Sequence, residues 1–141
     1  MADPRKESDL YPVAAAHFEG QGFRVQGEVC GCDLVALKDD RLVVVELKIA
    51  FNVKLLYQAV RRLLVTDEVY IAFFQPQAKQ KMAFWSMVRS LARRLHIGVM
   101  VISGENLKIL AEPGPFAAKR SSRQRAKVLK EMRGRRVAKN T

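Results

Sequence analysis

Apolar and polar positions follow a helical period in three segments of the chain and a strand period in six others. In the helical segments apolar residues recur every three or four positions, which predicts amphipathic helices at residues 7–20, 53–64 and 78–95. Alternating or continuously apolar runs predict strands at residues 23–29, 33–37, 42–49, 68–74, 98–102 and 107–111. The predicted order is αβββαβ followed by αββ. Helices of this length between such strands predict an α/β fold with a central mixed β-sheet flanked by helices.

Capping residues support the ends of two of these helices. Ser8 or Asp9 is a suitable N-cap for the first helix, because a short polar side chain can accept a hydrogen bond from a free backbone N–H. Gly20 and Gly22 follow that helix and predict its end. Asn52 is an equally suitable N-cap for the second helix.

The composition is that of a globular domain. The chain has 141 residues, of which 49% are hydrophobic, enough to bury a core and to argue against global disorder. No apolar run approaches the ~20 residues of a membrane helix, so no membrane association is expected. The first ten residues are polar and resemble neither a signal peptide nor a transit peptide, so the expected compartment is the cytoplasm.

The positive charge is concentrated at the C-terminus. A Pro-Gly-Pro sequence at 113–115 divides the chain into a domain at residues 1–116 and a basic tail at residues 117–141. The tail holds ten lysines and arginines against one acid, Glu131, whereas the first 116 residues have a net charge of only +2. Such a tail is a plausible phosphate contact, and a solvated tail that aids solubility is the alternative.

Several reactive or aromatic side chains are expected in the core. Cys30 and Cys32 are the two cysteines, too few for a disulfide scaffold, and the two histidines lie too far apart to complete a zinc motif. Both cysteines are therefore predicted to be buried thiols. Phe84 and Trp85 lie on an amphipathic helix and are predicted to be core residues in preference to platforms for stacked bases.

The strands at 33–37 and 42–49 predict a hairpin with charged residues at its open end. If the turn is symmetric about residues 39 and 40, Asp33 lies directly opposite Glu46, with Cβ atoms about 5 Å apart. Lys48 lies two residues beyond Glu46 and points to the same face. Both faces of the hairpin are otherwise apolar, so these charges require an explanation.

A shared divalent cation would explain the paired acids. At ~4 Å and an effective dielectric constant near 20, two carboxylates repel each other by about 4 kcal/mol. Mg²⁺ or Mn²⁺ between Asp33 and Glu46 would reverse the sign of that interaction. Lys48 would then orient an attacking water or offset charge on a phosphate. The alternative is structural: an ion pair between Glu46 and Lys48, with Asp33 capping a turn.

The spacing of these residues resembles a known enzyme superfamily. Asp33, twelve residues and then Glu46-Leu47-Lys48 on a hydrophobic strand are similar to the PD-(D/E)XK nuclease superfamily. The resemblance implies a restriction-endonuclease-like core, whose order of helix, three strands, helix and strand matches residues 7–74. The same stretch also resembles a bacterial subgroup of that superfamily that is regarded as phosphodiesterases of unknown substrate.

The resemblance implies a role for each residue of the motif. Asp33 and Glu46 would be metal ligands, the backbone carbonyl of Leu47 would be a third ligand, and Lys48 would be the catalytic lysine. The residue before Asp33 is Cys32, where the superfamily pattern has proline, a departure that the superfamily tolerates.

The resemblance also implies contributions from two helices. A glutamate of the first helix often completes such sites, and Glu7 is the candidate, with Glu19 near the far end of that helix as the other option. The helix after the Glu-x-Lys strand often carries a polar residue that faces the site. Gln58 fits this role, with Arg62 one turn later on the same face, and an ordinary solvated helix face is the alternative.

The predicted function is a Mg²⁺- or Mn²⁺-dependent phosphodiesterase that cleaves nucleic acid, with DNA favoured over RNA. Residues 75–141 match no known motif, so substrate choice is not covered by the resemblance. The basic residues expected to hold the nucleic-acid backbone are Arg62, Lys119, Arg120, Arg123, Arg125, Lys127 and Lys130.

Two other functions fit the same sequence. The chain is alternatively a non-catalytic module of the same fold that binds nucleic acid through its basic tail. It is otherwise an interaction protein whose tail docks on an acidic partner. A homodimer is compatible with each of these functions.

Overall fold

The computed structural model of the chain describes residues 4–114 and 122–135. A short 3-10 turn at Glu7–Asp9 precedes the first helix. The helices are α1 (Leu10–Glu19), α2 (Val53–Arg62), α3 (Met82–Leu95) and α4 (Ser122–Arg135). The strands are β1 (Arg24–Val29), β2 (Cys32–Lys38), β3 (Arg41–Lys48), β4 (Glu68–Phe74), β5 (Gly98–Ser103) and β6 (Asn106–Ala111).

The six strands form one mixed sheet in the order in which they occur along the chain. Pairs β1–β2, β2–β3 and β5–β6 are antiparallel, and each is joined by a short turn. Pairs β3–β4 and β4–β5 are parallel, and α2 and α3 form their crossover connections. A parallel pair needs such a crossover because the second strand must start at the same end of the sheet as the first. The predicted α/β class, central mixed sheet and element order are confirmed.

Helices cover both faces of the sheet and enclose two apolar clusters. On one face, Phe18 of α1 belongs to a buried cluster that includes Val45 and Met100. On the other face, α2 and α3 cover side chains such as Val44 and Ile71. The central strands are apolar on both sides because each of their faces is buried under a helix.

The N-termini of the helices agree only in part with those predicted from the sequence. Asn52 caps α2 as predicted, because its side-chain Oδ1 accepts a hydrogen bond of 2.8 Å from the backbone N–H of Leu55. Asp9 precedes α1, but its carboxylate accepts from the backbone N–H of Lys6 and not from the helix. Helix α3 begins at Met82, four residues later than predicted, and Lys81 before it is extended.

The turn between β1 and β2 corrects one prediction about the cysteines. Cys32 is buried as expected, whereas Cys30 is exposed. Cys30 has a φ of 49° and the adjacent Gly31 a φ of 80°, so the chain turns sharply there. Residues in a tight two-residue turn project away from the sheet, which is why a small apolar side chain remains in solvent at position 30.

The structure describes part of the predicted tail as the helix α4. Its described apolar side chains are largely exposed, including Val128 and Met132, each 61% exposed. Lys119 and Arg120, both predicted to contact nucleic acid, lie outside the described residues. None of the helices in the described ranges is long and apolar enough to cross a membrane.

Candidate functional site

The predicted hairpin register is confirmed, and it places Asp33 and Glu46 at the point where β2 and β3 part. Cα partners run along the two strands as far as the pair Leu34 and Val45, as a turn symmetric about residues 39 and 40 requires. Beyond that pair, backbone N–H groups donate hydrogen bonds to side-chain carboxylates of the opposite strand. The carboxylate of Glu46 accepts the backbone N–H of Asp33 at 3.1 Å, and the carboxylate of Asp33 accepts the backbone N–H of Leu47 at 2.8 Å.

These two crossed hydrogen bonds hold both acids at one junction. Each carboxylate reaches across to the opposite strand, so neither backbone N–H is left unpaired where the ladder ends. The structure therefore brings Asp33 and Glu46 together at the end of the hairpin, as the predicted register requires. Leu47 joins them through its backbone N–H, and the metal-ligand role that the resemblance implies for its carbonyl stays a prediction.

Glu46 is the one buried charged or polar side chain among the described residues, with 2% of its surface exposed. Its Oε1 lies 3.4 Å from both Nε and Nη2 of Arg62 on α2. The same Nη2 donates a hydrogen bond of 2.8 Å to the carbonyl oxygen of Gly31. Arg62 thus neutralises the buried acid and also joins α2 to the turn before β2.

Burial has the largest effect on the pKa of Glu46 and raises it above its ordinary value. The nearby charge of Asp33 raises this pKa further. The hydrogen bond from the Asp33 backbone and the charge of Arg62 oppose the rise. Glu46 is consequently a carboxyl group whose protonation depends on its neighbours, which is common at functional sites.

Glu7 and Lys48 form the other side of the junction. The Nζ of Lys48 lies 4.0 Å from Oε2 of Glu7, with 32% and 43% of the two side chains exposed. An ion pair this open to solvent contributes little stability. Glu7 lies just before α1, whereas Glu19 lies at its other end. The structure therefore brings Glu7, and not Glu19, to the motif.

An open groove of about 490 Å³ adjoins this junction on the α1 side of the sheet. It is lined by Glu7, Ser8, Tyr11, Gly27, Glu28, Asp33 and Leu47. Gly27 makes room for Tyr11, because a Cβ at position 27 would lie 3.0 Å from the Tyr11 ring. Asp33 thus borders the open groove on the α1 side, whereas Glu46 is enclosed by Arg62 on the α2 side. The prediction that the two side chains point to one face of the hairpin is therefore wrong, because the regular pairing of β2 and β3 ends at Leu34 and Val45.

The donor set has the chemistry of a hard-cation site but is not open in its present form. The described residues contain no group of three or more His, Cys, Asp or Glu side chains placed to hold a metal. Asp33 and Glu46 supply two carboxylates, and the Leu47 carbonyl is the predicted third oxygen. A cation on Glu46 would have to displace Arg62 from Oε1. The 3.4 Å contacts are longer than the 2.7–2.9 Å usual for a charge-assisted hydrogen bond.

Gln58 is half-buried on α2, one turn before Arg62. This position agrees with the predicted shared face, but the role assigned to Gln58 stays a prediction. The arginine was predicted to bind nucleic acid, and its contact with Glu46 was missed. A buried carboxylate needs a cationic or hydrogen-bonding partner, and this requirement could have indicated a basic residue on the following helix.

Comparison with known proteins establishes only the fold. No protein-family model matches the chain, and no curated protein matches it either. A solved structure of the SPO1766 protein of unknown function from Silicibacter pomeroyi is similar, with a TM-score of 0.51 and 16% sequence identity. The match covers 96% of this chain and 91% of that protein. It supports the same α/β architecture over nearly the whole length of both chains.

Proposed function

We propose that the chain is a divalent-metal-dependent phosphodiesterase that cleaves nucleic acid, with DNA favoured over RNA. One observation carries the proposal: Asp33 and Glu46 meet at the parted ends of β2 and β3, each bound to the backbone of the opposite strand. Two acids placed this close are costly unless a positive charge lies between or beside them. Lys48 and Glu7 adjoin them, and an open groove gives a substrate access.

Asp33 and Glu46 would hold the cation, with the Leu47 carbonyl as a third oxygen ligand. Oxygen donors of this kind suit Mg²⁺ or Mn²⁺. When bound, the cation would polarise a phosphoryl oxygen and lower the pKa of a water molecule. The fit requires Arg62 to release Oε1 of Glu46, and the long contacts support that exchange.

Three side chains would contribute to catalysis besides the metal ligands. The ammonium group of Lys48 would offset the negative charge that develops on the phosphate in the transition state. Glu7 would hold that ammonium group close to the motif through their 4.0 Å contact. Arg62, once released from Glu46, would become available to a phosphate oxygen, because a guanidinium binds phosphate through two parallel N–H donors.

Charge supports a nucleic-acid substrate. The chain has a net charge of +11, and α4 carries Arg123, Arg125, Lys127 and Lys130 as exposed side chains. Such residues bind phosphates without reading the base sequence. They would supply affinity, while the Asp33–Glu46 junction would supply the chemistry.

The decisive experiment compares wild type with Glu46→Ala on a panel of DNA and RNA substrates with Mg²⁺, with Mn²⁺ and with EDTA. We expect cation-dependent cleavage by the wild type and a loss of at least about 100-fold in Glu46→Ala, as when a group that stabilises the transition state is removed. Asp40→Asn is the control, because Asp40 is an exposed acid at the other end of the same hairpin. Equal cleavage by Glu46→Ala and the control would contradict the proposal.

A second candidate is a non-catalytic module that binds nucleic acid. The ion pair between Arg62 and Glu46 favours it, because that pair neutralises the buried acid without a cation. A pure binding module would bind nucleic acid equally well with and without divalent cation. It would also keep its affinity in Asp33→Asn, because the acid would then have only a structural role.

A further inference from the structure

A second pocket lies outside the candidate site, between α3 and the last two strands. It has a volume of about 330 Å³. Four of its residues, at positions 82, 85, 86 and 89, follow one face of α3, and β6 supplies two more. The pocket is lined by Gln75, Met82, Trp85, Ser86, Arg89, Val101, Lys108 and Leu110, and we call it the α3 pocket.

The α3 pocket combines positive charge with an aromatic ring. Arg89 and Lys108 line it, and none of the lining residues is acidic. Both side chains are exposed, and neither takes part in the ion pairs found among the described residues. They are therefore free to bind an anion, at little cost in lost protein contacts.

Trp85 is both a core residue and part of the pocket lining. Its indole stacks on Phe73, with ring centroids 6.4 Å apart and planes 11° from parallel, which holds the ring in place. It is only half-buried, however, and it borders the pocket. The prediction that Trp85 belongs to the core is correct for the part that contacts Phe73, and the remainder is available to a ligand.

The sheet register gives the distance between the α3 pocket and Lys48. Lys48 is paired with Phe73, Phe73 with Val101, and Val101 with Lys108, so these four residues form one row across β3, β4, β5 and β6. Three strand spacings of about 4.8 Å separate the first and last residues of the row by about 14 Å. Phe73 and Val101 are buried beneath the helices, so the row gives a separation and not a surface path for a strand.

We propose that the α3 pocket binds a nucleotide unit of single-stranded nucleic acid. The phosphate would contact Arg89 and Lys108, and the base would contact the indole of Trp85. Aromatic stacking combined with basic residues is how proteins hold single strands without sequence preference. A base inside a duplex is already stacked and paired, so a duplex would not fill the pocket. Binding in the pocket does not depend on the proposed function.

Intrinsic fluorescence tests this binding directly, because Trp85 is the only tryptophan of the chain. The full-length protein is titrated with a short oligothymidylate in EDTA, so that no cleavage occurs. We expect saturable quenching of Trp85 and much weaker quenching by a duplex of the same length. Arg89→Gln and Lys108→Gln should each weaken binding by about fivefold, the upper limit for an exposed ion pair.

Arg94→Gln is the matched control. Arg94 is an exposed arginine of the same helix that does not line the pocket, so its loss changes the net charge equally. It should change the affinity by less than about twofold, because screening weakens a charge that makes no contact. Absence of quenching, or equal weakening by Arg94→Gln and Arg89→Gln, would overturn the proposed pocket.

The two proposals fail in different ways. If Glu46→Ala retains quenching and the wild type cleaves nothing, the proposed function fails and the α3 pocket stands. If the wild type cleaves single strands without quenching Trp85, the α3 pocket fails and the proposed function stands. The melting temperatures of the Arg89→Gln and Lys108→Gln variants should match that of the wild type, since both side chains are exposed.

Discussion

Arg62 lies with two of its nitrogens 3.4 Å from Oε1 of the buried Glu46. The contact crosses from α2 to β3 and places a positive charge beside an acid that is only 2% exposed. Charged groups are rarely buried without such a partner. Against the effect of burial, the charge of Arg62 therefore lowers the pKa of the buried carboxyl.

The stability of the protein should depend on pH through Glu46. Burial raises its folded-state pKa above the ordinary value of 4.5, so the unfolded chain loses this proton first as pH rises. The stability of the wild type relative to Glu46→Gln should therefore fall as pH rises from about 4.5 to the folded-state pKa. Urea unfolding of both proteins at a series of pH values measures this difference.

Arg62→Gln provides the check on that assignment. The charge of Arg62 lowers the pKa of Glu46, so its removal should extend the decline in stability to higher pH. If wild type and Glu46→Gln lose stability in parallel across this range, then Glu46 is not the titrating group. If the stability of Arg62→Gln declines over the same pH range as that of the wild type, the charge of Arg62 does not affect the pKa of Glu46.

Divalent cations should stabilise the folded protein. A cation that binds only the folded state at a hundred times its Kd adds about 2.7 kcal/mol to the free energy of unfolding. We expect Mg²⁺ or Mn²⁺ to raise the melting temperature of the wild type but not that of Asp33→Asn. Asp40→Asn should respond like the wild type, because Asp40 is exposed at the opposite end of the hairpin. Equal shifts in all three proteins would indicate non-specific binding.

Lys48→Ala should reduce kcat with little effect on stability. We expect a loss of about 100-fold or more if the ammonium group stabilises the transition state. The contact of Lys48 with Glu7 is partly exposed, so its removal should cost less than about 1 kcal/mol of stability. Lys54→Ala is the control, because Lys54 is exposed on α2. Similar kcat values for the two variants would exclude a catalytic role for Lys48.

The basic side chains of α4 should determine the salt dependence of nucleic-acid binding. Replacing four of them with glutamine removes up to four phosphate contacts, which should reduce the slope of log K against log salt by up to about 3 for a single strand. The positions are Arg123, Arg125, Lys127 and Lys130. The control replaces four exposed basic residues outside α4, namely Lys6, Arg24, Lys79 and Lys81. If the α4 variant and the control variant show the same change of slope, the effect is due to net charge and not to the position of α4.

The two cysteines should differ in reactivity toward a thiol reagent. Cys30 is exposed, whereas Cys32 is buried and burial raises the pKa of its thiol. Only the thiolate reacts, so Cys32 should react more slowly by a large factor. We expect one fast thiol per chain in the wild type and none in Cys30→Ser. Two fast thiols would mean that the turn before β2 opens readily.

The hairpin was predictable because its determinants are local. A strand alternates its side chains with a period of two, and a short polar turn sets which residues face each other, so the pairing of Leu34 with Val45 follows from the positions of residues 39 and 40. That register in turn brings Asp33 to Glu46. The start of α3 was less predictable, because the segment before Met82 has polar residues compatible with either a helix or a loop.

The amino-acid order by itself determined the sequence of helices and strands, the mixed sheet and the meeting of two acids at the end of one hairpin. Each depends on periodicity or on a turn of a few residues, which neighbouring positions specify. Only the tertiary structure decided that Arg62 reaches Glu46, that Cys30 faces solvent and that Trp85 borders a pocket with Lys108. Those contacts join elements that are distant in sequence, and the packing of helices on the sheet sets them.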